Sequence, residues 1–300
     1  MSSIATRNAT SVGTEAHRAL RSGIVGRVEA VFERSLYVSF QDGWICIGEP
    51  SIGRGPINIV VAPAAGARLA PSLHSSAIVE ESALRLGEFR LDTADAVVWQ
   101  PEPLPHSWAP TLLEEGLRAL LAALPVDMPM EGLGAYLRPG TMPVSRTARA
   151  AAPAIAAIAA WLMTPDAAAP PPVSAVQGLL GLGPGLTPSG DDFLAGVIAA
   201  LHLLKRTSKA DALWAEIERH APCFTGEISC AHLLASHRSG LGEPLHQLLL
   251  DTLLGNMPGI RRDLTALHHP AHCSPWDTLA GCLTVIRDLC AKALKRANLT

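Results

Sequence analysis

The chain has 300 residues, of which 48% are hydrophobic and 17% are charged, and its formal net charge is -3 at pH 7. This composition is apolar enough for a folded core and excludes a disordered chain. It shows neither a basic stripe nor a run of about twenty apolar residues, so we expect no nucleic-acid partner and no membrane span. The first twenty residues lack a signal-peptide core and no two cysteines form a C-x-x-C pair, which predicts reduced, mostly buried thiols and a cytoplasmic protein.

The first third of the chain has the pattern of β-strands. Residues 23–40 are rich in valine and aromatic residues, the pair Asp42-Gly43 is a turn signal, and short buried-strand candidates follow at residues 44–47, 57–61 and 97–99. A proline-rich connector occupies residues 101–105. We predict a flexible N-terminus over residues 1–22, followed by an antiparallel sheet or small barrel over residues 23–105.

The chain beyond the connector has the pattern of helices. Residues 112–124 have apolar positions at helical spacing, and residues 148–163 are rich in alanine. Three consecutive prolines at 170–172 precede a glycine-rich loop, after which helices are predicted at 193–204, 210–220, 228–237, 245–254 and 278–294. Residues 106–300 are therefore predicted to form a mainly helical domain, which makes the fold class α+β.

The segment from residue 181 to residue 192 has the greatest density of groups that can bind a ligand. It combines glycines, hydroxyls and two adjacent acids, and Ser189-x-x-Asp192 has the form of a capping box with Ser189 as the N-cap. The helix behind it is apolar on every face, so its positive end should open into the interior or a cleft and bind an anion. The substrate-binding candidates are Gly183, Gly185, Thr187, Ser189 and Gly190, and the catalytic candidates are Asp191 and Asp192. The alternative is an ordinary capped helix.

The loop does not match the common nucleotide-binding loops. Gly178-x-x-x-x-Gly183 is followed by Pro184-Gly185, where a phosphate-binding loop has Lys and Ser or Thr. Gly183-x-Gly185 lacks the third glycine of a dinucleotide loop, because Pro188 stands there. ATP and NAD are disfavoured, and we predict no cofactor.

A second helix start has similar residues. Residues 274–281 repeat the serine, aspartate, leucine, alanine and glycine of residues 189–196 at a constant offset of 85 residues. Ser274 is predicted as the N-cap, Pro275 as the first helical residue, and Asp277 as the closing acid of the box. The two helix starts either converge on one ligand, with Ser274 and Asp277 as substrate-binding residues, or are two structural caps.

Two hydroxyl residues lie between these helix starts. Thr225 and Ser229 are four residues apart and share a face of a helix. They are candidates for lining the binding pocket, although an N-cap role is the favoured interpretation for Thr225.

Several histidines need separate interpretation. His268, His269 and His272 precede Cys273, but Pro270 interrupts them and no second ligand pair has suitable spacing, so we predict no metal site. His272 is kept as a candidate for proton transfer. His202 and His232, on apolar helices, are interpreted as core residues.

The string GLGPGLTPSGDDFLAG at residues 181–196 resembles the signature of the AllH-like family, bacterial proteins formerly described only as a domain of unknown function. The family's type is a subunit of oxamate carbamoyltransferase, an enzyme of anaerobic allantoin breakdown and hence of purine catabolism. Its later motif, G-H-[ST]-S-G-x-D-x-L-x-G, is similar to residues 271–281, where Ala271, Cys273 and Pro275 replace the first glycine, the hydroxyl residue and the second glycine. The resemblance implies carbamoyl transfer from carbamoyl phosphate to oxamate, giving oxalurate, with partner subunits and small anionic substrates.

Two other functions stay open at this point. The chain lacks the Ser-Thr-Arg-Thr loop of ordinary carbamoyltransferases, which favours a non-catalytic assembly or regulatory subunit. The adjacent acids Asp191 and Asp192, together with His272, are also compatible with a metal-dependent hydrolase or lyase.

Overall fold

The computed structural model describes residues 5–21, 23–63, 71–104, 109–138, 140–165, 169–267 and 273–297. Its contacts divide the chain into two compact units, Met1–Pro101 and Glu102–Thr300, slightly before the predicted division after residue 105. The first unit is built from strands and the second from helices, which confirms the α+β fold class.

The first unit is a closed β-barrel. Eight strands pair in the circular order β1-β5-β4-β3-β2-β6-β7-β8, returning to β1, and β9 is added to β1. Most pairings are antiparallel, but β1–β8, β1–β9 and β4–β5 are parallel, because long connections rather than hairpins join those strands. The elements are β1 (Ala5–Gly13), α1 (Thr14–Ala19), β2 (Val25–Val31), β3 (Ser35–Phe40), β4 (Gly43–Gly48), a 3₁₀ turn (Pro50–Ile52), β5 (Asn58–Val61), β6 (Ser76–Val79), β7 (Ala83–Leu86), β8 (Phe89–Asp92) and β9 (Val97–Trp99).

Alternating side chains fill the barrel. Along β3, Leu36, Val38 and Phe40 are buried while the residues between them are half-buried, as expected of a strand with one face toward a core. The predicted flexible N-terminus over residues 1–22 is wrong for residues 5–19. These residues form β1, which is held by backbone pairing to three other strands, and α1, whose Ala16 and Ala19 are buried.

The second unit contains nine α-helices among the residues that the structure describes. They are α2 (Pro110–Ala123), α3 (Arg146–Met163), α4 (Val173–Leu179), α5 (Ser189–Leu203), α6 (Thr207–Phe224), α7 (Glu227–Ser239), α8 (Glu243–Leu253), α9 (Met257–Leu267) and α10 (Ser274–Ala297), with a 3₁₀ turn at Gly134–Leu137. The core of this unit surrounds α5, in which all thirteen residues from Ser189 to Leu201 are buried. The prediction that this helix is buried is confirmed.

All six cysteines are free thiols: Cys46 and Cys282 are buried, Cys223 is exposed and the other three are half-buried. The expectation of mostly buried thiols is therefore wrong, because four of the side chains lie on partly solvated helix faces or ends. None of the helices in the described ranges is both long and apolar enough to cross a membrane.

Candidate functional site

Helix α5 begins one residue earlier than the capping box predicts. The carbonyl of Pro188 accepts the first helical bonds, from the N–H groups of Asp191 (2.9 Å) and Asp192 (3.1 Å), so Pro188 is the N-cap. Ser189 is the first residue of the helix and does not cap it, and the predicted N-cap role is wrong. Because the extended backbone of Pro188 already starts the helix, the hydroxyl of Ser189 is available for another partner.

Helix α10 starts in the same way, 85 residues further on. The carbonyl of Cys273 accepts from the N–H groups of Trp276 (2.9 Å) and Asp277 (3.0 Å), as Pro188 does in α5. Ser274 is therefore the first helical residue and not the predicted N-cap, and Pro275 stands second. The repeat found in the sequence is thus a repeat of backbone geometry.

The two helices pack against each other through one glycine on each, which lies against the backbone of the other helix. A Cβ atom added to Gly196 would lie 2.0 Å from the carbonyl oxygen of Thr278, and one added to Gly281 would lie 2.0 Å from that of Phe193. These two contacts are related by the same offset of 85 residues. The Cys282 thiol also donates to the Gly196 carbonyl at 3.3 Å. Without side chains at these glycines the helices approach closely, and both starts lie at the same end of the pair.

The serine at each helix start lies beside the acid at the start of the other helix. The hydroxyl of Ser189 on α5 faces Asp277 on α10, and that of Ser274 on α10 faces Asp192 on α5, and each hydroxyl lowers the pKa of the acid that it faces. Each acid is therefore stabilised by the serine of the other helix rather than of its own. The four side chains form one cluster, which we call the paired helix starts.

Burial decides the protonation of the two acids. Burial raises the pKa of Asp277 to about 6, although the Leu133 N–H donates to its carboxyl and the nearby Ser189 hydroxyl also lowers the pKa. Burial also raises the pKa of Asp192 well above its ordinary value, and the charge of Asp277 adds to this effect. Oδ2 of Asp192 is buried and has no hydrogen-bond partner in the described part of the chain. The cluster thus favours one acid form beside one carboxylate.

Asp191 has a different environment from its neighbour Asp192. Its Oδ1 accepts from the Gly181 N–H at 2.8 Å, and its Oδ2 accepts from the hydroxyls of Ser229 (2.7 Å) and Thr225. Burial raises its pKa, and these three donors lower it. Asp191 thus joins the start of α5 to the junction of α6 and α7.

The interpretation of Thr225 as an N-cap is wrong. Gly226 occupies the N-cap position of α7, while Thr225 ends α6 and turns its hydroxyl to Asp191.

Gly190 is required for packing, because a Cβ atom there would lie 2.0 Å from the carbonyl oxygen of Leu179.

The glycine-rich loop leaves backbone donors free. Gly183 and Gly185 have φ values of 114° and 102°, which side chains disfavour. Within the described residues, the N–H groups of Gly183, Gly185, Leu186 and Thr187 donate no hydrogen bond. Gly185 and Leu186 are exposed, and Thr187 is half-buried with its hydroxyl toward Asp192. The loop therefore offers unpaired donors between solvent and the paired helix starts.

Sequence reasoning missed a third contributor to the site. Gly132 lies against Asp277 so closely that a Cβ atom there would be 2.4 Å from Oδ1, and Leu133 donates its N–H to the same oxygen. The glycines at 132 and 134 signal a turn, but nothing in their spacing relates them to residue 277.

His272 lies outside the described residues. Its neighbour Cys273 is half-buried, and burial together with the charge of Asp277 raises the pKa of its thiol.

The segment of the chain that contains this site matches a known protein family. The model of a family described as oxamate carbamoyltransferase subunit AllH matches residues 179–286. The resemblance to this family is confirmed over that segment. The segment is roughly a third of the chain and contains the glycine-rich loop and both helix starts. It supports a carbamoyltransferase-associated subunit. Neither the curated proteins nor the solved structures contain a match.

Proposed function

We propose that this chain is an AllH-type subunit of a carbamoyltransferase, and that it binds a carbamoyl or amide group between Asp192 and Asp277. The observation that carries the proposal is the pair of buried acids at the starts of two helices, each beside the serine of the other helix, whose hydroxyl lowers its pKa. The AllH family match supports the reaction class.

The protonation of the two acids suits this kind of group. Asp192, held toward its acid form, can donate to a carbonyl oxygen through the oxygen that has no partner in the described residues. Asp277, with a pKa of about 6, is mostly a carboxylate at neutral pH and can accept from an N–H group. A carbamoyl group carries one acceptor oxygen and two N–H donors, so one acid and one carboxylate complement it.

The anionic part of the substrate needs a different partner. The carboxylate of Asp277 repels a phosphate or carboxylate, whereas the free N–H groups of the loop at Gly183, Gly185 and Leu186 attract it. The positive ends of α5 and α10 lie on the same side and add to this attraction. Carbamoyl phosphate and oxamate each combine a carbamoyl or amide group with an anionic group, so both fit this division.

The proposed reaction is carbamoyl transfer from carbamoyl phosphate to oxamate, giving oxalurate and phosphate, within allantoin and purine breakdown. The amide nitrogen of oxamate attacks the carbamoyl carbon, a C–N bond forms, and the C–O bond to phosphate breaks. Asp277 accepts the proton that the nitrogen loses and returns it to the departing phosphate. Asp192 donates a hydrogen bond to the carbamoyl oxygen as negative charge develops there.

In this proposal Asp191 acts as a positioning residue, because both of its oxygens are already hydrogen-bonded. Thr225 and Ser229 then act through Asp191 rather than on the substrate. The catalytic role predicted for His272 remains a prediction. Partner subunits, which the family description implies, are part of the proposal.

Calorimetry tests the proposal with carbamoyl phosphate, oxamate and oxalurate, on the chain alone and on the chain purified with its candidate partner subunits. We expect Asp192→Ala and Asp277→Asn to weaken the binding of at least one of these compounds by about tenfold or more, since the first removes the donor to the carbonyl oxygen and the second replaces the carboxylate that accepts from the N–H group. Glu115→Gln, an exposed acid on α2, is the matched control and should bind as the wild type does. Failure of all three compounds to bind in either preparation would exclude the proposal.

A further inference from the structure

Three potential metal ligands meet at the other end of α5. His202 on α5, Asp211 on α6 and His237 on α7 each place one ligand atom so that all three atoms lie within 4.8 Å of one another. Nε2 of His202 and Nδ1 of His237 are 3.0 Å apart. His202 is half-buried, so its interpretation as a simple core residue is incomplete.

The two imidazoles are suited to coordination near neutral pH. Burial lowers the pKa of His202 and of His237, and this effect is the largest one on each ring. Neutral imidazole is the form that binds metals. Two nitrogens at about 2.0–2.1 Å from a tetrahedral zinc ion lie about 3.3 Å apart. The observed separation is 0.3 Å from that value, so small side-chain movements would suffice.

The surroundings also favour a cation. His202 lies in the last turn of α5 and His237 in the last turn of α7, where helix carbonyls favour positive charge. Trp214 stacks on His237 with ring centroids 4.9 Å apart and an interplanar angle of 9°, which fixes the ring. Asp211 is exposed, so water can complete the coordination.

We propose that His202, His237 and Asp211 bind one divalent transition-metal ion of the zinc class. Two imidazoles and one carboxylate select Zn²⁺, Ni²⁺ or Cu²⁺ over Mg²⁺ and Ca²⁺, which prefer all-oxygen sites. The ion would join the adjacent ends of α5, α6 and α7.

This site is separate from the paired helix starts. His202 follows Asp192 by ten positions along the helix, a rise of about 15 Å, so an ion here does not reach the substrate. Helices α5 and α7 are already joined at their starts through Asp191 and Ser229. A metal at their other ends would hold the pair at both ends, and its role is to stabilise the helical unit.

The test titrates Zn²⁺ into metal-stripped full-length protein by calorimetry and follows thermal unfolding. We expect one ion per chain at this site, and a rise in Tm of about 5 °C or more at zinc concentrations near a hundred times Kd. His202→Gln and His237→Gln should each weaken this binding by about a hundredfold and reduce the rise to about 1 °C at the same zinc concentration, because even residues behind metal ligands affect affinity tenfold or more. His220→Gln is the matched control, since His220 contacts Gln177 and Glu216 outside the cluster.

Other histidines and thiols of the chain can also bind zinc, so the variants decide the outcome. If both histidine variants keep the affinity and stoichiometry of the wild type, the ion lies elsewhere and the proposal is wrong. The same holds if the wild type shows no saturable binding. Asp211→Asn changes an exposed side chain and should fold normally, so a loss of about tenfold in its zinc affinity supports the site even if a histidine variant fails to fold.

Discussion

Replacing Asp277 with asparagine should make the protein more stable at neutral pH. The side chain is buried and its folded-state pKa is about 6, against an ordinary value of 3.8. The folded chain therefore holds this proton more tightly than the unfolded chain. The free energy of unfolding falls as the pH rises from about 4 to about 6 and stays low above that range.

The size of the effect follows from the two pKa values. At about 1.4 kcal/mol per pH unit, the raised pKa of Asp277 lowers the free energy of unfolding by about 3 kcal/mol at pH 7.5 and by about 1 kcal/mol at pH 4.5, relative to low pH. Asparagine has the same shape, fits beside Gly132, and can still accept from the Leu133 N–H. The stabilisation by Asp277→Asn should thus be about 2 kcal/mol greater at pH 7.5 than at pH 4.5.

Thermal unfolding followed by circular dichroism at 222 nm, which reports on the helices, measures this difference. At pH 7.5 the variant should melt about 5 °C or more above the wild type, with a smaller gain at pH 4.5. Glu115→Gln, an exposed acid on α2, should show no gain at either pH. A variant that melts below the wild type at pH 7.5, or whose gain is the same at both pH values, would refute the claim that burial of this charge destabilises the fold.

Three further predictions concern the packing and chemistry around the site. Gly196→Ala should lower the free energy of unfolding by about 3 kcal/mol in denaturant titrations, because the new methyl meets a backbone carbonyl, whereas Gly226→Ala, with open space around it, should change it by less than about 1 kcal/mol. Ser229→Ala removes one of three donors to a buried carboxyl and should cost about 1–2 kcal/mol in the same assay. Cys273 should react with iodoacetamide at pH 7 more slowly than the exposed Cys223, by peptide mass spectrometry, since burial raises its thiol pKa.

Local patterns predicted most of the elements but not the closure of the barrel. Strand β1 has few apolar residues, so nothing in its sequence distinguishes it from a flexible terminus, and its pairing joins residues as distant as Gly13 and Trp99. Helix α9 was also missed, because Pro258 and Gly259 resemble a loop although proline is tolerated in the first turn of a helix.

The residues of the candidate site could be predicted from the sequence, but the contacts between them could not. The offset of 85 residues between the two helix starts is visible in the sequence, since both repeat the same residue types. That each serine serves the acid of the other helix depends on how closely α5 and α10 pack, which Gly196 and Gly281 decide. The contribution of Leu133 depends on tertiary structure alone.

The exchange of partners between α5 and α10 makes the two acids chemically interdependent. Loss of the Ser189 hydroxyl would alter the proton affinity of Asp277 on the neighbouring helix, and loss of Ser274 would do the same to Asp192. The titration curve of either carboxyl would therefore shift when the serine on the other helix is replaced. Any redesign or truncation at the start of one helix would therefore also change the pKa of the acid at the start of the other.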